Sequence, residues 1–320
     1  MHRVTTTTVT NGHANGTSGH GVPRWAHTLR KKRVVSADGT GIAYEVVGQG
    51  RNTIVIANGL GGRLHAIEPI VEAFWRDHRI ITWDYRGLFE SDTPNLPHKL
   101  AVTHHAEDAL AIFAAENVDR AVMLGWSMGV QIALDFTASH PEKISGLVLL
   151  NGTHGHAFSS GFQPYFAIPG LPKRLHSFVE WTHTRPDVVD LLSRLTHLTE
   201  WPTTGLMFLT AGRRALELRP MLRRYYDDVL GPSFPNYMRL FQELDAHSAY
   251  HLLPDILAPV LIVSGKLDFL TPSFQSDEMA RRLPNAEHLS LLRASHFALH
   301  ERTDEVIGAM RRFLDRRVVQ

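Results

Sequence analysis

A serine flanked by glycines, Gly-Trp-Ser-Met-Gly at 125–129, separates two different apolar patterns. The continuous run 121–124 predicts a buried strand and the periodic run 128–138 predicts a helix, so Ser127 occupies the corner between them. Glycine is needed on both sides because a sharp strand-to-helix reversal leaves no room for a Cβ atom. At the N-terminus of a helix, the backbone N–H of Met128 can receive negative charge that develops on a substrate oxygen. The segment therefore predicts a nucleophilic serine.

A serine hydroxyl is a weak nucleophile at neutral pH and needs a histidine base, which a carboxylate orients. Two later loops supply both groups, since Asp268 follows the apolar run 259–264 and His296 follows the run 287–292. If these runs are strands of one parallel sheet, their carboxyl ends bring Ser127, Asp268 and His296 to the same edge. We therefore predict that these three residues are catalytic, in the chain order Ser, Asp, His.

Strand and helix patterns alternate along most of the chain. Two strand patterns, 32–38 and 41–47, flank the turn Asp38-Gly39 and predict an antiparallel hairpin. The alternation that follows is typical of a mostly parallel sheet covered by helices on both faces. Its predicted strands are 53–57, 79–83, 121–124, 144–150, 259–264 and 287–292, and its predicted helices are 67–75, 103–116, 128–138, one that ends near 282 and a final one that contains 306–314.

The alternation stops between about 151 and 251, where prolines interrupt helix-like segments and aromatic residues such as Trp181 and Phe241 are frequent. Most of these aromatic residues can fill the core of a small helical subdomain. Laid over the strand ends, the same segment forms a helical cap above an apolar pocket. The predicted domains are a disordered polar tail at 1–24, the first part of the α/β core at 25–150, the cap at 151–251 and the second part of the core at 252–320.

The composition excludes several kinds of function. The 320 residues include 33 Lys and Arg, 32 Asp and Glu and no Cys, so we expect no nucleic-acid partner, disulfide, thiolate metal site or cysteine nucleophile. Histidine pairs four residues apart, such as His247 with His251, occur without a His-Glu-x-x-His motif, and we predict neither a metal nor a cofactor. Apolar segments are too short for a secretory signal or a membrane span, which leads us to expect a cytoplasmic protein without an integral membrane segment.

As a set, these motifs resemble those of the α/β-hydrolase superfamily, in particular its lidded serine esterases, lipases and C–C hydrolases. The similarity runs from about Lys32 to the C-terminus. Segment 125–129 matches the family's nucleophile elbow, 265–268 matches its acid loop, and Ser295-His296, with Glu301 downstream, matches its histidine loop. The resemblance implies an α/β-hydrolase fold with a helical cap insertion.

The segment Asn-Gly-Leu-Gly at 58–61 matches the oxyanion loop of that family, which usually reads His-Gly-x-Gly. The resemblance implies that the backbone N–H of Leu60 is the second oxyanion donor beside that of Met128. It also makes Gly59 and Trp126 candidate oxyanion or substrate-binding residues.

Three positions depart from the family pattern. Asn58 replaces the usual histidine, Phe89 stands at the second glycine of an Asp-x-Arg-Gly-x-Gly loop, and Val130 stands where a second glycine is common. None of the three is a predicted catalytic residue.

The resemblance implies a serine hydrolase that acts without a cofactor on a carboxylic ester or lactone of a mainly apolar small molecule, through an acyl-enzyme. A serine nucleophile disfavours the epoxide-hydrolase and haloalkane-dehalogenase branches, which use aspartate. Three alternatives stay open, namely a C–C bond hydrolase, an acyltransferase, and a slowly turning or non-catalytic ligand receptor. The oligomeric state is open as well.

Overall fold

A computed structural model describes residues 23–156, 174, 177, 181, 184–185, 201–231 and 234–318. Within this part of the chain, one sheet contains eight strands in the order β1-β2-β4-β3-β5-β6-β7-β8. The strands are β1 Arg30–Val35, β2 Gly41–Val47, β3 Asn52–Ala57, β4 His78–Trp83, β5 Ala121–Trp126, β6 Ile144–Leu150, β7 Val260–Gly265 and β8 Ala286–Leu291.

The sheet is parallel from β4 to β8, while β2 runs antiparallel to both β1 and β4. After β3 the chain first moves outward to β4, and it then returns to place β5 on the other side of β3. This reversal makes a crevice between the carboxyl ends of β3 and β5, where Ala57 pairs with Gly125. In open α/β sheets, such a crevice is the usual place for a ligand.

Helices cover both faces of the sheet. Along β3, Ile54 and Val55 point to opposite faces because side chains alternate along a strand. The face of Val55 packs against α2 Val102–Ala115, α3 Gly129–Ser139 and α7 Ser273–Arg282. The face of Ile54 packs against α1 Glu68–Phe74, α8 Ala298–Glu301 and α9 Thr303–Arg317.

Three further helices precede β7, namely α4 Trp201–Ala211, α5 Arg219–Val229 and α6 Phe234–Ala246. Helices α4 and α5 join the apolar cluster on the Ile54 face, whereas α6 joins the cluster on the Val55 face. Of the aromatic residues named above, Trp181 is exposed and Phe241 packs, partly buried, against the Val55 cluster. Within the predicted cap, residues 157–173, 175–176, 178–180, 182–183, 186–200 and 232–233 lie outside the described residues.

The prediction of a mostly parallel sheet with helices on both faces is confirmed, and most element bounds shift by one or two residues. The first strand is an exception, since β1 ends at Val35 rather than at Asp38. The predicted final helix, which contains 306–314, is the single helix Thr303–Arg317, and a separate four-residue helix, Ala298–Glu301, precedes it because the backbone leaves the helical conformation at Arg302. A short 3-10 helix at Arg24–Thr28 with a buried Trp25 overlaps the end of the predicted tail, of which residues 1–22 lie outside the described residues. None of the described helices is long and apolar enough to cross a bilayer.

Candidate active site

Ser127 stands on the turn between β5 and α3 with a backbone φ of 56°. This left-handed conformation is strained for a residue with a side chain. The two glycines make the turn possible, because a Cβ on Gly125 would lie 2.4 Å from the Gly129 carbonyl oxygen and one on Gly129 would lie 1.9 Å from that of Ala57. The corner predicted from the sequence is therefore present, with the serine hydroxyl at the carboxyl end of β5.

His296 and Asp268 complete a continuous series of hydrogen bonds from Ser127. His296 Nε2 lies 3.0 Å from Ser127 Oγ, and His296 Nδ1 lies 2.9 Å from Asp268 Oδ2. The other carboxylate oxygen, Oδ1, accepts the backbone N–H groups of Leu270 and Thr271, both at 2.9 Å. A buried carboxylate fixed in this way can hold the imidazole in one orientation and stabilise its protonated form.

Asn151, which the sequence analysis did not single out, belongs to the same network. Its side-chain Nδ2 donates to Asp268 Oδ2 at 2.9 Å and to the Ser295 carbonyl oxygen at 3.1 Å, so it joins the acid loop to the histidine loop. Thr271 Oγ1 also donates to the Asn151 carbonyl oxygen at 2.8 Å. Asn151 directly follows β6 and has a φ of 42°. In the sequence only its place after a predicted strand is visible, and that place does not reveal the contact with Asp268.

The histidine loop is anchored by Glu301, which the sequence placed downstream of it. Its carboxylate accepts the backbone N–H of Ser295 at 2.7 Å and the Ser295 hydroxyl at 2.6 Å. Both bonds act on the residue before His296. They fix the backbone from which the imidazole projects.

The loop at 58–62 follows β3 and faces Ser127 across the crevice. The Asn58 side chain bridges it, since Nδ2 donates to the Arg63 carbonyl oxygen and Oδ1 accepts the Gly59 N–H, each at 3.2 Å. Asn58 thus supports the loop from within.

Two backbone N–H groups at the crevice, those of Leu60 and Met128, donate no hydrogen bond to any residue that the structure describes, although both residues are at least 96% buried. Unpaired buried N–H groups are rare in folded proteins. Met128 directly follows Ser127, and Leu60 lies in the loop after the neighbouring strand β3, so these two N–H groups are the candidates for binding an anionic oxygen.

The other two candidates, Gly59 and Trp126, pack against each other. A Cβ on Gly59 would lie 2.8 Å from the Trp126 ring. The Trp126 side chain is buried, and its indole N–H donates to the His296 carbonyl oxygen at 3.4 Å. Trp126 therefore lies between the 58–62 loop and the histidine loop, and a direct contact with substrate stays a prediction.

Two of the positions that depart from the family pattern, Phe89 and Val130, are accommodated by contacts with other residues. Phe89 has a φ of 51°, a region that favours glycine, and the guanidinium of Arg63 lies 4.8 Å from its ring centre. Arg63 also lies 3.5 Å from Asp84, whose pKa burial raises to about 6. Val130 fits because Gly152 faces it, where a Cβ would lie 2.2 Å from Val130 Cγ2.

Other histidines noted in the sequence have structural partners. His300 Nε2 lies 2.9 Å from the Ala66 carbonyl oxygen, and burial lowers its pKa. His247 contacts Gln131 and Asp135 of α3. Among the described residues, no three His, Asp or Glu side chains converge in a way that could hold a metal ion.

Comparison with known proteins identifies the fold family. The family model for the alpha/beta hydrolase fold matches residues 52–303. RutD of Caulobacter vibrioides, provisionally named a carbamate hydrolase, is 23% identical over 280 residues, which cover 84% of this chain and 92% of RutD. The pimeloyl-acyl-carrier-protein methyl ester esterase of Vibrio atlanticus is 26% identical over 261 residues, which cover 79% of this chain and 90% of the esterase.

Among solved structures, the enol-lactonase from Burkholderia xenovorans LB400 is similar in fold, with a TM-score of 0.71 at 22% identity. The match covers 88% of this chain and 99% of the lactonase. With the family model spanning most of the chain, the protein belongs to the α/β-hydrolase fold family.

Proposed function

We propose that this hydrolase cleaves a carboxylic ester or lactone of a mainly apolar small molecule through an acyl-enzyme on Ser127. One observation carries the proposal. The hydrogen-bonded series Ser127, His296 and Asp268 ends at a strained corner beside two unpaired N–H groups. A nucleophile, its base and an oxyanion site thus occur together, as acyl transfer requires.

Acylation follows from these positions. Ser127 Oγ attacks the substrate carbonyl carbon while His296 Nε2 takes the hydroxyl proton, and Asp268 stabilises the imidazolium that results. The N–H groups of Leu60 and Met128 bind the oxyanion, and each such donor contributes about 3 kcal/mol to the stability of the transition state. His296 then gives its proton to the leaving alcohol, and the bond between the acyl carbon and the leaving oxygen breaks.

Deacylation repeats these steps with water. His296 removes a proton from the water molecule, the hydroxide attacks the acyl carbon, and Ser127 leaves as its hydroxyl form. All charges that develop are met by residues of the chain, so neither a metal nor a cofactor is part of the proposal.

The insertion at 151–251 acts as a cap in this proposal. In support, Val229 at the end of α5 and Tyr237 of α6 approach the 58–62 loop, since a Cβ on Gly61 would lie 2.8 Å from each side chain. Aliphatic and aromatic groups therefore stand over one side of the site. Acyl groups that bury apolar surface against them gain about 0.8 kcal/mol per methylene.

The names of the relatives support a class of bond that is cleaved, but they do not identify a particular substrate. A carbamate hydrolase, a methyl ester esterase and an enol-lactonase are each named for cleavage next to a carbonyl group. An ester or lactone is accordingly the substrate class to test first.

The direct test compares Ser127→Ala with Ser264→Ala, which removes a buried hydroxyl elsewhere in the sheet. We expect Ser127→Ala to lower kcat for 4-nitrophenyl esters by about 10⁵-fold with the fold intact, because the nucleophile is lost. Ser264→Ala should keep kcat within about two-fold, since a buried hydrogen bond affects mainly stability. Hydrolysis is followed as nitrophenolate release across esters of graded acyl length, beside lactones and a dienone acid.

An alanine variant at 127 that keeps most of the wild-type kcat would show that another group is the nucleophile. Turnover of the dienone acid without ester hydrolysis would favour a C–C hydrolase. A stoichiometric burst without turnover would favour a ligand receptor.

A further inference from the structure

The 58–62 loop turns on a hydrogen bond from the Gly62 N–H to the Gly59 carbonyl oxygen at 2.8 Å. The third residue of this four-residue turn, Gly61, has a φ of 79°. A positive φ at the third position is the mark of a type II turn. The peptide between Leu60 and Gly61 is thus the central peptide of the turn.

The central peptide is the part of a turn that can change. Type I and type II turns share the closing hydrogen bond and differ by a flip of this peptide, and glycine at the third position permits both forms. Leu60 bears the unpaired N–H on one side of its Cα atom and the central peptide on the other. An ideal flip leaves the preceding peptide, which carries the Leu60 N–H, in place. The Leu60 carbonyl and N–H are nevertheless attached to the same Cα atom, so a bond that holds the carbonyl also restrains the residue that bears the N–H. Such restraint matters because an oxyanion donor acts well only within about 0.5 Å of its productive position.

A tyrosine of α5 holds this peptide. The Tyr225 hydroxyl donates to the Leu60 carbonyl oxygen at 2.6 Å. Burial raises the pKa of Tyr225 well above its ordinary value, so the hydroxyl keeps the proton that it donates. A flipped peptide would lose this bond and leave the buried Tyr225 hydroxyl with only the hydrogen bond that it shares with Tyr237.

The Tyr225 ring also contacts the neighbours of the other two reacting groups. It lies 5.8 Å from the ring of Trp126, next to Ser127, and 5.8 Å from the ring of Phe297, next to His296. One side chain of the insertion thus touches the serine corner, the histidine loop and the 58–62 loop. The hydroxyl acts only on the last of these.

We infer that Tyr225 is a positioning residue, whose hydroxyl fixes the central peptide of the oxyanion turn and so keeps the Leu60 N–H in place for the transition state. The inference rests on the proposed ester hydrolysis and extends it to the insertion. Helix α5 is then part of the catalytic apparatus at this point, in addition to covering the site.

The chain offers a closely matched control at the next residue. Tyr226 is on the same helix and equally buried, and its hydroxyl lies 2.6 Å from Thr210 Oγ1. Both substitutions keep the ring: Tyr225→Phe removes the bond to the Leu60 carbonyl oxygen and the hydrogen bond with Tyr237, and Tyr226→Phe removes the bond to Thr210. The thermal midpoint reports a general loss of stability in either variant, whereas loss of oxyanion positioning lowers kcat only in Tyr225→Phe.

Two reactions are measured in the wild type and in both variants. The first is the hydrolysis of 4-nitrophenyl butyrate, with kcat and KM separated. The second is the single-turnover reaction with diethyl 4-nitrophenyl phosphate, in which Ser127 Oγ forms a bond to phosphorus, 4-nitrophenolate leaves and His296 accepts the serine proton. Thermal midpoints are recorded beside both.

For Tyr225→Phe we expect kcat and the rate of phosphorylation to fall together by about ten-fold while KM stays within about two-fold, because the lost contact acts on the transition state. Tyr226→Phe should keep wild-type rates. Equal losses in both variants, a wild-type kcat in Tyr225→Phe, or a change in KM alone would each overturn the inference. If the wild type reacts with neither reagent, the proposed function itself fails, and this result differs from any effect confined to Tyr225.

Discussion

The molecule contains two sets of Ser, His and Asp side chains joined by close contacts. In one set, Ser127 Oγ lies 3.0 Å from His296 Nε2, and His296 Nδ1 lies 2.9 Å from Asp268. In the other, Ser264 Oγ lies 2.9 Å from His288 Nε2, whose Nδ1 lies 3.6 Å from Asp277. We call the first the elbow set and the second the strand set. Residue types and Ser–His distances are nearly the same in the two sets, but the His–Asp distance is longer in the strand set.

The two sets differ in where the serine lies on the backbone. The serine of the elbow set leaves the sheet at a strained corner, whereas Ser264 lies inside β7 and pairs in register with Ser290 of β8. Ser264 is 1% exposed, so no substrate carbonyl can approach its oxygen. The acids differ too, since Asp277 is partly exposed and paired with Lys266 at 3.1 Å, while Asp268 is buried and bound by neutral donors.

On chemical grounds, a Ser-His-Asp arrangement alone does not specify acyl transfer. A nucleophile also needs open space in front of its oxygen and donors for the negative charge that follows. The elbow set has both because its serine begins a helix at the sheet's carboxyl edge. The strand set serves to fasten β7, β8 and α7 to one another.

Substitution of the two histidines should produce the largest difference in kcat between the sets. We expect His296→Ala to lower kcat by about 10⁵-fold, since the general base is lost and only oxyanion binding remains. His288→Ala should leave kcat within about two-fold. Steady-state hydrolysis of a 4-nitrophenyl ester by the two variants gives the comparison directly.

His300→Ala serves as a second control, because this histidine is close to His296 in sequence but binds the Ala66 carbonyl oxygen. It should lower the thermal midpoint and spare kcat. Loss of activity in His288→Ala or His300→Ala with activity retained in His296→Ala would assign the base to another histidine.

Substitution of the two aspartates should produce a smaller difference in kcat. Asp268→Asn should reduce kcat by about 10⁴-fold, because the amide no longer fixes the imidazole tautomer or stabilises its charge. Asp277→Asn should have no measurable effect on kcat, since it changes a partly exposed group of the strand set. The measurement is kcat at neutral pH with circular dichroism to verify folding. Equal kcat values for the two variants would show that Asp268 does not orient the base.

Sequence patterns could predict the parts of the site that depend on local signals. The glycines around Ser127 and the strand ends before Asp268 and His296 are such signals, and they bring these three residues together as expected. Asn151 and Tyr225 could not be found in this way. Their contacts with Asp268 and Leu60 span 117 and 165 residues and depend on how separate elements pack.

The fold likewise has parts that local sequence signals predict and parts that they do not. Strands were predictable because continuous apolar runs and turn residues mark them, and their bounds differ from expectation mainly where fraying or pairing adds a residue. The break at Arg302 was not predictable, because neither proline nor glycine marks it in the sequence. Phe89 likewise adopts a conformation that favours glycine, and its contact with Arg63 accompanies that conformation.

The smallest expected effect is on stability and concerns the strand set. Burial, together with Lys266, lowers the pKa of His288, and Asp277 opposes this shift. The unfolded chain therefore binds more protons at this position than the folded protein does, in the range between the folded pKa and about 6.5. The free energy of unfolding contributed by a neutral His288 is fully present above pH 6.5 and declines as the pH falls through that range.

His288→Gln isolates this contribution, because glutamine can still accept a hydrogen bond from Ser264 but does not titrate. We expect the wild type to lose stability more steeply than the variant between pH 7 and pH 5, by at most about 1.4 kcal/mol per pH unit. Urea unfolding at several pH values measures the difference, and buried histidines common to both proteins, such as His65 and His105, cancel. Burial lowers the pKa of each of these two to about 3. Parallel pH profiles for the two proteins would contradict a neutral, structural His288, and the strand set would then differ from the elbow set in geometry alone.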